Sequence, residues 1–254
     1  MRIVSLQSGS NGNCIYVEAG GAKLLFDAGI SGKSAQQRLA DAGGDIREVD
    51  ALIISHDHRD HIASAGIFQR KFGLTMHITR PTLTAAASRC PLGQLGRIRH
   101  FESGKSFTVG DVRIYSVPTP HDAADGCCFV VEAEGRRLGI LTDLGHVFSG
   151  LADVMETLDA LLLESNYDPV MLRSGFYPAF LKARIAGPHG HLSNDEAATL
   201  VKNHGRRLNW LCIGHLSDEN NTPELALTTN RKIIGSSLPI FLAGRHGISE
   251  TMEV

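Results

Sequence analysis

The chain has 254 residues, 43% of them hydrophobic, and a formal net charge of −2. That length supports a full core in one domain spanning residues 1–254. The near-zero charge excludes a globally basic nucleic-acid binder, so any polyanion contact has to be local. No apolar run approaches the ~18 residues of a membrane span, and residues 1–6 lack the apolar core of a signal peptide, so no membrane partner and a cytoplasmic location are expected. Five cysteines (Cys14, Cys90, Cys127, Cys128, Cys212) with no Cys-x-x-Cys pair fit reduced core thiols.

Strands are predicted over 2–6, 14–19 and 23–26. The turn at 7–13 is rich in residues that tolerate left-handed backbone, and it reads either as an ordinary hairpin or as a substrate-facing loop. Asp27, at the third strand's end, is placed to orient a metal-binding histidine. Ser31-Gly32-Lys33-Ser34 lacks the upstream glycine pattern of a phosphate loop, so Ser31 or Ser34 is read as the cap of a helix over 35–42. A buried strand over 51–54 runs into Ser55-His56-Asp57-His58-Arg59-Asp60-His61, with a helix predicted over 61–72. Three imidazoles and two carboxylates sit on this one loop. His56 and His58 are nearly adjacent, whereas Asp60 and His61 come from its far end, so the loop can feed two metal ions. Nitrogen and carboxylate donors without thiolate suit zinc or a harder ion such as manganese.

A strand over 76–79, a helix over 82–88 and a hairpin of 107–109 with 112–117 follow, in a largely alternating β and α order. The hairpin ends at His121, a candidate ligand. After a strand over 128–132, the buried run from Leu138 delivers Asp143, read as a carboxylate bridging two ions or else as a helix cap. A strand over 159–164 precedes a stretch to His191 in which Arg173, Lys182 and Arg184 interleave with Phe176, Tyr177 and Phe180. That pattern fits a nucleic-acid backbone with stacked bases, an amphipathic lid, or a homodimer contact. Ser193 and Glu196 form a capping box for a helix to about 204. The strand from Trp210 ends at His215, the last candidate ligand. A helix over 223–234, a strand over 239–242 and a loose tail over 245–254 with solvent-facing His246 complete the chain.

His56-x-His58-x-Asp60-His61 is also the signature of the metallo-β-lactamase superfamily. Together with 6–14, Glu164-Ser165-Asn166, Tyr177-Pro178, Gly190-His191-Leu192-Ser193-Asn194, His215-Leu216-Ser217 and Asn220-Asn221, it makes the chain resemble the YycJ/WalJ group of that superfamily. The resemblance implies an α+β fold, the four-layer αβ/βα sandwich, with two divalent ions (Zn2+ or Mn2+). His56, His58 and His121 would hold one ion, Asp60, His61 and His215 the other, and Asp143 would bridge. The group is described as 5′-to-3′ DNA exonucleases with a repair role, which implies a DNA substrate, RNA remaining open, attacked by hydroxide generated at the ions. Asp60 and His191 are then the expected catalytic residues, His191 lying near the scissile phosphate. Ser8, Asn13, Asn166, Tyr177, Lys182 and Arg184 are the expected substrate contacts. The chain departs from the group's pattern at Tyr167, where histidine is frequent, and at Ala183-Arg184, where adjacent arginines are frequent. The alternative function is a small-molecule metallo-hydrolase acting on a lactone, thioester or cyclic phosphodiester.

Overall fold

The computed structural model describes all 254 residues. The first half runs β1 (Arg2–Gln7), β2 (Cys14–Ala19), β3 (Ala22–Phe26), α1 (Gly32–Asp41), β4 (Ala51–Ile53), α2 (Arg59–Ile62), α3 (Ala65–Phe72), β5 (Thr75–Ile78), α4 (Arg80–Arg89) and β6 (Ile98–His100). The second half runs β7 (Ser106–Val109), β8 (Val112–Pro118), β9 (Cys127–Ala133), β10 (Arg136–Leu141), α5 (Leu151–Met155), β11 (Ala160–Glu164), α6 (Pro169–Ser174), α7 (Ala179–Ile185), α8 (Asn194–His204), β12 (Trp210–Gly214), α9 (Pro223–Ile234), β13 (Ile240–Leu242) and β14 (Met252–Glu253). The strands form two seven-stranded sheets, ordered β14-β1-β2-β3-β4-β5-β6 and β13-β12-β11-β10-β9-β8-β7.

Strand alternation builds the four layers, because successive side chains leave a strand on opposite faces. Leu24 and Phe26 of β3 join the core between the sheets, where Phe26 meets Phe129 of β9 at 5.2 Å between ring centroids. Leu25 points the other way, into a second core with Leu39 of α1 and Phe68 of α3. In the other sheet Cys212 of β12 faces inward, while Leu211 and Ile213 pack under α8 and α9. The result is the expected αβ/βα sandwich. The parallel strands β3, β4 and β5 of one sheet and β10, β11 and β12 of the other carry at their carboxyl ends the loops where ligands gather in open sheets.

The chain differs from the sequence expectations most clearly at the following points. The single helix over 61–72 is two, α2 and α3. The Ser64 N–H donates to the Ala28 carbonyl at 2.9 Å, so the loop after β3 takes a bond that a continuous helix would keep. Strand β6 carries a mixed polar sequence, Ile98-Arg99-His100, that gave no pattern. Helix α1 starts three residues early, with Ser31 as its cap accepting from the Ser34 N–H. The tail is tied down rather than loose. Residues Met252 and Glu253 pair with the outer edge of β1, and Ser249 exchanges hydrogen bonds with Ser5. His246 is exposed as expected.

Candidate metal centre

The donors arrive from strand ends of both sheets. Residues 55–58 follow β4 and lead into Asp60 and His61 on α2, His121 follows β8, Asp143 follows β10 and His215 follows β12. Asp27, Asp143 and His215 all sit at strand ends with positive φ, at 65°, 57° and 53°. Asp and His are among the side chains that tolerate this left-handed region, and such backbone concentrates where function demands a particular side-chain direction. A sharp turn there swings each side chain off the sheet edge and toward the common centre.

Each of the five histidines spends one ring nitrogen on a support and turns the other toward the centre, where His61 Nε2 also lies 3.0 Å from Asn13 Nδ2. His56 Nδ1 lies 2.9 Å from Ser55 Oγ, and His58 Nε2 meets the Asp122 carbonyl at 3.1 Å. His61 Nδ1 meets Asp27 Oδ2 at 2.7 Å, His121 Nδ1 the Gly190 carbonyl at 2.9 Å, and His215 Nδ1 Asn13 Oδ1 at 3.2 Å. Such partners select the tautomer and hold the ring, as supports of metal ligands do. Three of the remaining nitrogens converge on Asp143. Its Oδ2 is 3.3 Å from His61 Nε2, and its Oδ1 is 3.5 Å from His121 Nε2 and 3.3 Å from His215 Nε2.

Two donor triads emerge around that shared carboxylate. His56, His58 and His121 offer ligand atoms within 4.8 Å of one another, and so do Asp60, His61 and His215. Asp143 completes further groups with His56 and His61, and with His121 and His191. The residues fit divalent ions on two counts. First, His56 Nε2 and Asp143 Oδ2 are buried without hydrogen-bond partners, a costly state unless a cation takes them. Second, imidazole nitrogens and carboxylate oxygens are the donor set of zinc and manganese sites.

The electrostatics agree. Burial lowers the pKa of His56, His58 and His215, with neighbouring histidines lowering them further, which keeps their lone pairs available. Burial opposes charge on His61 as well, yet Asp143, Asp27 and Asp60 around it raise its pKa well above the usual value. Burial likewise opposes ionisation of Asp143, and His215, His61, His56 and His121 nevertheless hold its carboxyl well below the ordinary range. The carboxylates thus create a place where positive charge is favoured.

His191 stands beside the triads. Its Nδ1 bonds Glu164 Oε2 at 3.0 Å and lies 3.8 Å from Asp143 Oδ1. Burial disfavours its protonation, but the hydrogen bond and charge of Glu164 raise its pKa overall. Glu164 is fully buried at the end of the apolar strand β11 and also accepts from the Leu144 and Leu192 N–H groups. A buried carboxylate after Leu161-Leu162-Leu163 was the available signal for this support.

The six expected substrate contacts are otherwise engaged. Ser8 is fully buried and its Oγ accepts from the His215 N–H, while Asn166 donates to the His215 carbonyl at 2.8 Å. Asn13 is buried between Asp60, His61 and His215 and accepts the Gly9 N–H. These three are buried behind the candidate ligands. Tyr177 packs on the small cluster of Tyr167, Leu172 and Ile185. Lys182 Nζ donates to the Arg173 carbonyl at 2.8 Å, capping α6 with positive charge. Arg184 forms a two-pronged pair with Asp122 at 2.6 and 3.0 Å, and of the six it alone is half exposed at the rim of the centre.

Two further supports carried no expectation. Asp57, the intervening residue of His56-x-His58, is fully buried; it accepts from the Ala124 N–H at 2.9 Å and pairs with Arg89, tying the His121 loop to the His56 loop. Gly29 lies against the Asp60 backbone, where a Cβ would come within 1.7 Å of the Asp60 carbonyl oxygen. That oxygen accepts the Asn13 N–H at 2.7 Å.

Comparison with known proteins agrees with this architecture. Residues 22–212 match the beta-lactamase superfamily domain model. The chain is 38% identical over 227 residues to the exodeoxyribonuclease WalJ of Streptococcus pneumoniae, covering 88% of this chain and 84% of that protein. It is 34% identical over 222 residues to the exodeoxyribonuclease YycJ of Bacillus anthracis, covering 87% and 84%. Among solved structures, Zn(2+)-bound PqqB from Methylobacterium extorquens superposes with a TM-score of 0.74 at 17% identity over the whole of both chains. The metallo-beta-lactamase fold protein YhfI from Bacillus subtilis gives 0.72 at 17% over 99% of each. With its sandwich, its strand-end histidines and these relatives, the chain belongs to the metallo-β-lactamase superfamily, within the WalJ/YycJ group.

Proposed function

We propose that the chain is a metal-dependent exodeoxyribonuclease that degrades DNA from the 5′ end in a repair role, using two divalent ions, zinc or manganese. The observation that carries this reading is the pair of donor triads sharing Asp143. The names of the WalJ and YycJ relatives supply the substrate class. His56, His58 and His121 would hold one ion, Asp60, His61 and His215 the other, with Asp143 between them. When bound, paired divalent ions in such sites neutralise phosphate charge and acidify water toward neutral pH.

The protein's own groups account for the rest. Asp60 reaches the centre with one carboxylate oxygen 3.4 Å from His61 Nε2. Its pKa is lowered against the effect of burial, chiefly by His61, so it is ionised and accepts hydrogen bonds at neutral pH. His191, held by Glu164 through Nδ1, keeps Nε2 free of protein partners. Its raised pKa suits it to donate a hydrogen bond to the crowded phosphate and a proton to the departing alkoxide. Arg184 at the rim is placed to meet an incoming phosphate once Asp122 yields it.

The test uses metal-replete protein with 5′- and 3′-labelled single- and double-stranded DNA, matched RNA, and a panel of lactone and thioester substrates. Release of mononucleotides from the 5′ end of DNA, abolished in Asp143→Asn with loss of bound metal, is the expected result. Hydrolysis confined to the acyl panel would overturn the nuclease reading in favour of a small-molecule hydrolase.

A further inference from the structure

Between Asp60 and Glu102 the chain carries no carboxylate for 41 residues, yet it holds six cations, Arg70, Lys71, Arg80, Arg89, Arg97 and Arg99. The other 213 residues carry 19 cations against 27 carboxylates. A near-neutral total thus conceals a basic segment in an acidic molecule. The segment folds mainly as α3, β5, α4 and β6, the flank that ends the first sheet. All six side chains are exposed, and of the six Arg89 alone has a carboxylate partner, Asp57. Stability accounts for little of this. Charges on an edge strand deter edge-to-edge pairing, but either sign serves, and the flank holds one sign across several elements. Arg80 opens α4, whose first turn has no acid, although the positive end of a helix dipole favours carboxylates there.

The flank adjoins the metal centre. Strands β4, β5 and β6 are parallel neighbours, so their carboxyl ends share the sheet edge where the His56 to His61 loop follows β4. Neighbouring strands lie ~4.8 Å apart, which puts β6 about 10 Å from β4. Arg80 follows β5 at that same edge. Helix α4 is also fastened to the loops that carry the donors. Thr82 Oγ1 donates to the Asp125 carbonyl at 3.3 Å, in the loop of His121, and Arg89 pairs with Asp57 between His56 and His58. Arg97 and Arg99 stand two positions apart along the outermost strand and so leave it on one side. The strand pairing reaches Arg97, whose carbonyl accepts the Met76 N–H at 3.0 Å. The cations therefore run from Arg80 at the metal edge back along the open side of the sheet to Arg97.

From this segregation of charge we infer that the α4–β6 flank is the surface along which the phosphate backbone of a DNA substrate lies outside the metal centre. The inference rests on the nuclease reading and adds how a chain of net charge −2 holds a polyanion. Contacts to phosphate are electrostatic and independent of base sequence. Arg80, Arg97 and Arg99 meet a phosphate without first giving up an ion pair, unlike Arg184, which is held by Asp122. The acidic remainder repels the same polyanion, so charge confines it to this side of the molecule. The acidic surface of a second copy is the competing occupant. It is disfavoured because Ile67 is the flank's one exposed large apolar residue, too little for the apolar core of a protein interface.

The test compares wild-type protein with Arg80→Glu and with the double variant Arg97→Glu/Arg99→Glu, all at exposed positions outside the donor set. Each is assayed on a long oligonucleotide, single-stranded and as a duplex, and on thymidine 5′-p-nitrophenyl phosphate, which is too small to span centre and flank. In the double variant KM for both long substrates should rise at least about tenfold at low salt, and the slope of log K against log salt should fall by about two. Hydrolysis of the small diester should not change. Arg97→Lys/Arg99→Lys, which keeps both charges, should behave as wild type. Unchanged KM and slope in glutamate variants of an enzyme that does cleave DNA would overturn the flank alone. Absence of DNA cleavage by wild type would overturn it together with the nuclease reading. Conversion of a sedimenting dimer to monomer in the glutamate variants, with DNA kinetics intact, would overturn it in favour of a contact between copies.

Discussion

The wall of the metal centre and the helices α6 and α7 are built on opposite principles. In the wall, His56, His61, His121, Asp143 and His215 are at most 5% exposed, and each histidine is held by a named partner. On α7 and the connection before it, Phe180 and Phe176 stand in solvent. The wall is preorganised for a small hard charge and pays for it in strained backbone. One region is braced around buried donors, and the other presents apolar rings that no contact within the fold explains.

Substitutions test that contrast, the largest effect coming first. His191→Ala, with both ions retained by elemental analysis, should lower kcat by ~10²- to 10⁴-fold on DNA and on a small phosphodiester alike. Full turnover in that variant would remove His191 from the chemistry. Asn13→Ala, a change that touches no predicted ion, should weaken metal binding by ~10- to 100-fold, read by chelator competition. Equal metal affinity would show that Asn13 does not brace His61 and His215. Arg184→Ala should weaken DNA binding only modestly and lower the slope of log K against log salt by about one. An unaltered slope would leave Arg184 paired with Asp122 throughout.

His77 sharpens the comparison from outside the site, as a buried histidine with no ion to serve. Burial, aided by Arg99, lowers its pKa to about 4, and its ring stacks on Phe107 at 5.5 Å. The folded state therefore resists a proton that the unfolded chain accepts near the ordinary value of ~6.5. Stability contributed above that pH is lost progressively as pH falls toward 4. Replacing His77 with Phe should flatten the part of the fall in Tm between pH 7 and 5 that belongs to this residue. An identical pH profile would place the acid sensitivity in the metal centre alone.

Legibility followed locality. Asp143 and His215 end buried strands, and the His56 to His61 loop follows another, so apolar runs closing on a donor announced them. The break between α2 and α3 depends on the Ala28 carbonyl, 36 residues upstream of Ser64, and no local pattern records it. Strand β14 exists because β1 has an edge to fill. The burial of Ser8, Asn13 and Asn166 behind His215 is illegible for a related reason. Polar residues in a turn look the same whether they face a substrate or the back of a ligand, and only the fold shows which side is closed. Asp57 and Glu164 serve through partners 67 and 27 residues away, Ala124 and His191.

Gly29 carries a final consequence. Because the Asp60 carbonyl oxygen occupies the space where any other residue would need its first side-chain carbon, a methyl group there must displace the main chain that carries Asp60 and His61. An alanine at a position with nothing to donate would then mimic the removal of a ligand. In a saturation screen residue 29 should score with the histidines, a vulnerability set by room rather than by chemistry.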